Sequence, residues 1–183
     1  FPASALPMTF SSSSTETLTM RVDGLDANYE IKTAIVTFTA STTGVVTSGD
    51  STFFRINKMI ITAGTNAGNI SATNNGTTYS YIAIGNGLSQ AAIYTVPAGY
   101  TFFLTRANAY TTNNGNQYCL YRVWTRKYVN GVSTEQVILT ASFTQTYSTL
   151  RVIPRSYAQK TDIKWQLNQS SPAPGSVQLE GIL

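Results

Sequence analysis

The sequence predicts an all-β protein, and three observations lead to that class. Apolar and polar residues alternate with a period of two along most segments, which is typical of half-buried strands and not of helices. Charged residues make up only 11% of the chain, where an average domain has roughly a quarter. Thr, Ser, Asn, Gly and Tyr replace them, and this mixture favours strands and turns. Asn-Gly pairs, which tolerate the positive φ angles of tight hairpins, recur between the strand-like segments.

The clearest alternation lies in two segments of the second half, residues 117–127 and 162–167. Side chains two positions apart along a strand point to the same face. In each segment one of the two faces is the more apolar one, and it is the better candidate for the core. We therefore expect the following side chains to be buried: Cys119, Tyr121, Val123, Ile163, Trp165 and Leu167.

Further strands are predicted at 17–23, 29–39, 52–62, 78–84, 91–96, 101–110, 134–144, 148–153 and 176–182. The four Asn-Gly turn signals are Asn75-Gly76, Asn86-Gly87, Asn114-Gly115 and Asn130-Gly131. The last pair separates two long strands and predicts the clearest hairpin. About ten strands with a turn signal roughly every ten residues indicate an antiparallel sandwich or barrel.

The chain is predicted to have three parts. Ser11–Thr15 is a low-complexity polar run that has no apolar groups with which to build a local core, so residues 1–16 are expected to form an extended arm. The Gly/Asn/Thr-rich span 63–78 suggests a break between a first β lobe, 17–75, and a second one, 76–183. The pattern is compatible with one shared core and with two abutting ones. Because the chain does not begin with Met, we expect it to be processed or part of a longer product.

Composition argues against most enzyme classes. The chain has no histidine, which is the usual general base of hydrolases and the commonest metal ligand. Its one cysteine, Cys119, is expected to be a buried apolar residue and not a nucleophile. No cofactor is expected. The net charge of +4 is spread over several strands, so nucleic acid is not an expected partner, and no apolar run approaches the ~20 residues that span a bilayer.

Two groups of acids are candidates for a calcium site or a catalytic site. Residues 23–30 carry several oxygen donors but lack the spacing of a calcium loop, and Asp, Gly and Asn are also what a turn requires. Pairs of carboxylates such as Glu135 with Asp162, or Asp162 with Glu180, would be needed for glycosidase chemistry. Surface solubility is the simpler interpretation of these acids.

One predicted strand carries aromatic and basic residues on the face opposite the core. Interleaved aromatic and arginine side chains can stack and make cation–π contacts, and Tyr, Trp and Arg are enriched at protein interfaces. Three interpretations remain open: a subunit contact, an ordinary exposed or inter-sheet face, and a sugar-binding platform. The residues of this candidate interaction surface are Tyr118, Arg122, Trp124, Arg126 and Tyr128.

Six segments stand out in their order along the chain: 22–28, 54–59, 92–105, 120–123, 160–164 and 179–183. Together they resemble a family of virion structural proteins from tailed phages, especially marine short-tailed ones. The resemblance implies a jelly-roll-like β fold, a virion location and no catalysis, and capsid decoration, head-fibre and tail accessory roles all occur among such proteins. With the break at 63–78, the expected fold is an antiparallel jelly-roll-like β-sandwich with a second, smaller β lobe that shares or abuts its core.

The expected function is therefore a capsid decoration or cement protein on the outside of a phage particle. Its expected partners are the major capsid protein or neighbouring decoration subunits, in a symmetric homo-oligomer. The alternative is a tail or fibre module whose aromatic residues bind host-surface carbohydrate. A polysaccharide-degrading enzyme is the third class, and it would require acids that converge in a groove.

Overall fold

The structure is a computed structural model that describes residues 2–89, 92–111, 119–129, 132–144, 146–169 and 175–183. The regular elements of these residues are all strands, which confirms the all-β prediction. The chain divides into two compact units, residues 1–91 and 92–183. Each unit has a hydrophobic core of its own.

The first unit is built around one long strand. Its strands are β1 (Leu6–Pro7), β2 (Thr9–Leu25), β3 (Ile31–Ser48), β4 (Thr52–Phe53), β5 (Arg55–Ala63), β6 (Ile70–Asn74) and β7 (Thr77–Ile82). Along one edge β2 pairs with β3, and along the other it pairs first with β6 and then with β5. From Phe10 to Val22 the buried apolar residues of β2, which are Phe10, Leu18, Met20 and Val22, occupy even positions, as a period of two requires.

The second unit consists of two antiparallel sheets that pack over one core, which is consistent with the predicted β-sandwich. Its strands are β8 (Ile93–Thr95), β9 (Phe102–Thr111), β10 (Cys119–Val129), β11 (Val132–Phe143), β12 (Thr146–Tyr157), β13 (Thr161–Gln169) and β14 (Gly175–Ile182). One sheet has the order β11-β10-β13-β8, and the other has the order β12-β9-β14. Residues of β9 from one sheet and of β10 and β13 from the other form the shared core.

The predicted core of the second unit is confirmed. Cys119, Tyr121, Val123, Ile163 and Trp165 are all buried, and Leu167 is partly buried against the same cluster. The reason lies in the pairing of β10 with β13, which places Val123 opposite Trp165 and Tyr121 opposite Leu167 on the inner face.

The boundary between the units differs from the predicted one. The sequence placed the break at residues 75 and 76, whereas the structure places it after residue 91. β7 follows the predicted break, but it pairs with β6 and therefore belongs to the first unit. Asn75-Gly76 joins these two strands as a tight hairpin turn in which both residues have positive φ, 45° and 77°, so this turn signal marks a hairpin and not a linker. Asn114-Gly115 and Asn130-Gly131 lie outside the described residues.

The prediction of an extended arm over residues 1–16 is also wrong in part, because residues 9–16 belong to β2. The serine run Ser11–Thr15 lacks apolar side chains, but its backbone pairs with β6 and β3. Ser13 adds further hydrogen bonds: its Oγ accepts from the Asn69 N–H at 2.9 Å, and its N–H donates to the Asn69 carbonyl at 3.0 Å. Polar residues with little surface to bury can thus form a strand when neighbouring backbone satisfies them.

Glu16 is a buried carboxylate in the middle of β2. Its oxygens accept hydrogen bonds from the N–H of Ala67 at 3.0 Å, the N–H of Gly68 at 2.7 Å and the Ser12 hydroxyl at 2.7 Å. Gly68 has no space for a side chain, since a Cβ there would lie 2.6 Å from the Ser14 nitrogen. Burial raises the pKa of Glu16, but the three hydrogen bonds outweigh that effect and hold the pKa below 4.5, its ordinary value.

We predict that Trp165→Ala lowers the unfolding free energy of the second unit by about 3–5 kcal/mol, because it removes a large buried ring. Both tryptophans of the chain lie in this unit, so Trp124 fluorescence during urea unfolding reports on it alone. Tyr110→Ala is the control, since that ring is half exposed and its loss should cost clearly less. An equal effect of the two substitutions would contradict the assigned core face.

We predict that Glu16→Gln destabilises the first unit by about 1–3 kcal/mol at pH 7, because a buried set of N–H donors loses a charged acceptor. The lowered pKa means that the contribution of Glu16 is complete above the unfolded-state pKa of about 4.3 and is lost as the pH falls through the lower, folded-state value. The difference from wild type should therefore shrink below about pH 4. Hydrogen exchange of β2 amides measures it, with exposed Glu30→Gln as the control. A difference that does not change with pH would contradict this role.

Candidate functional site

The candidate surface predicted from the sequence lies on β10, the strand between β11 and β13. Arg122, Trp124 and Arg126 are on the face of β10 that points away from the core, and all three are partly buried. Tyr118 and the side chain of Tyr128 lie outside the described residues. The flanking positions on the same face are mixed: Thr140 and Gln166 beside Arg122 are uncharged and polar, whereas Lys164, Glu135 and Asp162 further along are charged. We call Arg122, Trp124 and Arg126 the β10 surface.

Trp124 is the largest side chain of the β10 surface. Val137 lies opposite it on β11 and Lys164 opposite it on β13. Val137 is 40% exposed. The indole Nε1 of Trp124 is shielded from solvent and has no hydrogen-bond acceptor among the described residues. Because this nitrogen is already shielded by the chain itself, another molecule would contact the accessible part of the Trp124 ring and the neighbouring Val137.

Arg126 stands in a row of polar residues that crosses the sheet. Its Nη1 lies 3.8 Å from Glu135 Oε1 on β11, and Asp162 is its register partner on β13. Asp162 is buried and accepts a 2.7 Å hydrogen bond from the Thr95 hydroxyl. Glu135 and Asp162, one of the carboxylate pairs that glycosidase chemistry would need, therefore lie on opposite sides of Arg126. This arrangement forms an alternating row of charges and does not bring the two acids to a common point.

A second exposed surface lies on β9, on the outer face of the other sheet. Phe103 and Tyr110 are 41% and 50% exposed, and Arg106 is exposed between them. Ile182 of β14 lies opposite Phe103 and is also exposed. We call Phe103, Arg106 and Tyr110 the β9 surface.

Sequence reasoning missed the β9 surface because the strand contains an irregularity. Leu104 and Ala107 are both buried although they are three residues apart, and the pairing of β9 with β12 and with β14 shifts register at this point. A strict period of two would place Arg106 on the core face together with Leu104. One signal was present, since Gly181 lies within a strand and glycine there often marks a bulge. A Cβ at Gly181 would lie 2.2 Å from the Phe102 ring.

The remaining candidates from the sequence are Cys119 and residues 23–30. Cys119 is fully buried in the core of the second unit. In the 23–30 segment, Asp26 Oδ1 accepts from the N–H groups of Asn28 and Glu30, which closes a turn. Across the described ranges no three His, Cys, Asp or Glu residues are grouped as metal ligands would be.

Comparisons with protein-family models, with curated proteins and with solved structures found no match. The described residues contain no helix that is long and apolar enough to cross a membrane. The functional argument therefore depends on the fold and on the surfaces of the second unit.

Proposed function

We propose that this chain is a structural protein of a tailed-phage virion that decorates the outside of the particle. In this proposal the β10 surface contacts a neighbouring copy of the chain or the major capsid protein. The observation that carries it is Trp124, a large and partly buried aromatic residue that lies between Arg122 and Arg126 on the outer face of the sheet, opposite the exposed Val137. Aromatic and arginine side chains in such positions dominate the energy of many protein interfaces.

The strand pairing of the second unit supports a jelly-roll-like topology, which is common in viral capsid proteins and in lectins. β10 pairs with β11, β9 with β12, and β8 with β13, as they would in one long hairpin. In addition, β13 pairs with β10, and β14 pairs with β9. These further pairings fold the long hairpin over on itself into two sheets. A jelly roll has eight strands, of which the described residues supply seven.

The low charge of the chain also favours an assembly role. Charged residues are 11% of the sequence, so few charged groups outside the β10 surface need to lose water on association, and within that surface Arg126 already lies 3.8 Å from Glu135. Closed assemblies of identical subunits are the commonest form of soluble oligomer. We therefore propose that the chain forms a symmetric homo-oligomer on the particle.

The second candidate function is a tail or fibre module that binds host-surface carbohydrate. The β9 surface favours it, because Tyr110 and Phe103 are exposed enough to stack on sugar rings. Asn108 lies between them and accepts a 2.7 Å hydrogen bond from the Ser148 hydroxyl. The β10 surface fits this function less well, since its Trp124 is partly buried.

We predict that Trp124→Ala weakens association by about 2 kcal/mol, which is roughly 30-fold in Kd. Sedimentation of the purified chain and its binding to capsids that lack it would measure the change, while Trp165 fluorescence verifies that the second unit remains folded. The control is Tyr110→Ala, which alters the β9 surface and should leave association unchanged. Unchanged association of Trp124→Ala, together with glycan binding that Tyr110→Ala abolishes, would replace the proposal by the carbohydrate-binding function.

A further inference from the structure

A polar cleft separates the two sheets of the second unit next to the paired ends of β10 and β11. Its volume is about 510 Å³, within the range of about 300–1,000 Å³ that is usual for small-molecule sites. One sheet contributes β10 and β11 to the lining, and the other contributes β12. The lining includes the polar residues Thr125, Lys127, Thr134, Glu135, Gln136 and Arg155.

The position of these residues in the register is unusual for a sandwich. Val123 lies opposite Leu139 on the inner face, and both pack in the core. The next pairs on that face are Thr125 with Gln136 and Lys127 with Thr134. Inner faces of sandwiches normally carry apolar side chains that fill the space between the sheets. Here the same face becomes polar within a few residues and borders an open cleft.

The polar groups of the cleft have unused hydrogen-bonding capacity. Within the part of the chain that the structure describes, no side-chain hydrogen bond or ion pair is made by Thr125, Lys127, Thr134 or Gln136. Together these side chains offer an ammonium group, an amide and two hydroxyl groups.

Arg155 is the anchored cation of the cleft. Its side chain is partly buried, its Nη1 donates a 3.2 Å hydrogen bond to the Ile138 carbonyl, and its guanidinium carbon lies 5.9 Å from the centre of the Tyr157 ring. A guanidinium has five N–H donors in a planar fork that matches a carboxylate. A guanidinium that is already positioned loses less side-chain entropy when it binds.

The charge of the cleft is positive. Lys127 and Arg155 approach it from opposite sheets, and Glu135 is the acid that borders it. Glu135 is 59% exposed and lies 3.8 Å from Arg126, which offsets its charge. An anionic ligand is therefore favoured over a cationic or neutral one.

We propose that this cleft binds an acidic sugar unit, that is, a hexose-sized ring that bears a carboxylate. The carboxylate pairs with Arg155 and Lys127, and the ring hydroxyls hydrogen-bond with the side chains of Gln136, Thr125 and Thr134. A lone inorganic anion would use the two cations and leave the amide and hydroxyl groups without partners. The site is separate from the β10 and β9 surfaces and does not depend on a virion role.

Trigalacturonate is the test ligand, titrated calorimetrically into the full chain. Maltotriose, a neutral trisaccharide, and acetate, a carboxylate without the ring, are the comparison ligands. We expect saturable binding of one trigalacturonate per chain, with maltotriose and acetate each bound at least about tenfold more weakly, since a charged hydrogen bond is worth more than a neutral one.

Two pairs of variants locate the site. Lys127→Ala should weaken trigalacturonate binding about tenfold, whereas Lys164→Ala removes an equally exposed lysine from the other face of the same sheet and should leave the affinity unchanged. Arg155→Lys keeps the charge but loses the planar fork, and about a tenfold loss is again expected. Its control is Arg122→Lys on the β10 surface, and tryptophan fluorescence verifies folding in every variant.

Each of three results would overturn the proposal. The first is no binding of trigalacturonate at millimolar concentration. The second is equal binding of maltotriose or acetate, which would show that ring and carboxylate are not recognised together. The third is an equal loss of affinity in Lys127→Ala and Lys164→Ala, which would show attraction to the net charge and not to the cleft.

Discussion

The antiparallel pairing of β10 with both β11 and β13 is the constraint on which the second unit depends. Because side chains alternate between faces, this one register decides three features. It directs Tyr121 and Val123 into the core, it directs Arg122, Trp124 and Arg126 to the outer face, and further along the inner face it brings Thr125 and Lys127 to the polar cleft. A slip of one residue would exchange the two faces and bury arginine.

In the first unit, residues 11–16 of β2 have no apolar side chains and are held in their sheet by polar contacts. Glu16 accepts hydrogen bonds from the segment that leads into β6, and Ser13 bonds to Asn69 in the same segment. These contacts connect β2 to the loop beside it at the point where the pairing with β3 is irregular. In this part of β2, satisfied polar groups take the place of apolar side-chain burial, whereas the core of the second unit packs aromatic residues such as Tyr121 and Tyr147 together.

The two outer faces of the second unit differ in a way that bears on function. The β10 surface combines partly buried arginines with a partly buried tryptophan opposite the exposed Val137, which suits a contact with another protein. The β9 surface presents exposed rings at Phe103 and Tyr110, which suits a flatter and more accessible contact. The cleft between the sheets is a third region, and its polar, positive lining suits a small ligand. One sandwich can thus carry separate contacts for assembly and for recognition.

The sequence by itself determined the all-β class, the core face of β10 and β13, and the face of β10 that carries Trp124, because alternation with a period of two is a local property of a strand. It did not reveal that Ser11–Thr15 belongs to a strand, since the groups that satisfy this run, such as the backbone of Asn69, are distant in the chain. The β9 surface and the cleft were likewise decided by the tertiary structure. The first depends on a bulge that shifts Arg106 outward. The second depends on Arg155 of one sheet and Lys127 of the other lining the same cleft, and the approach of distant strands follows from packing and not from local pattern.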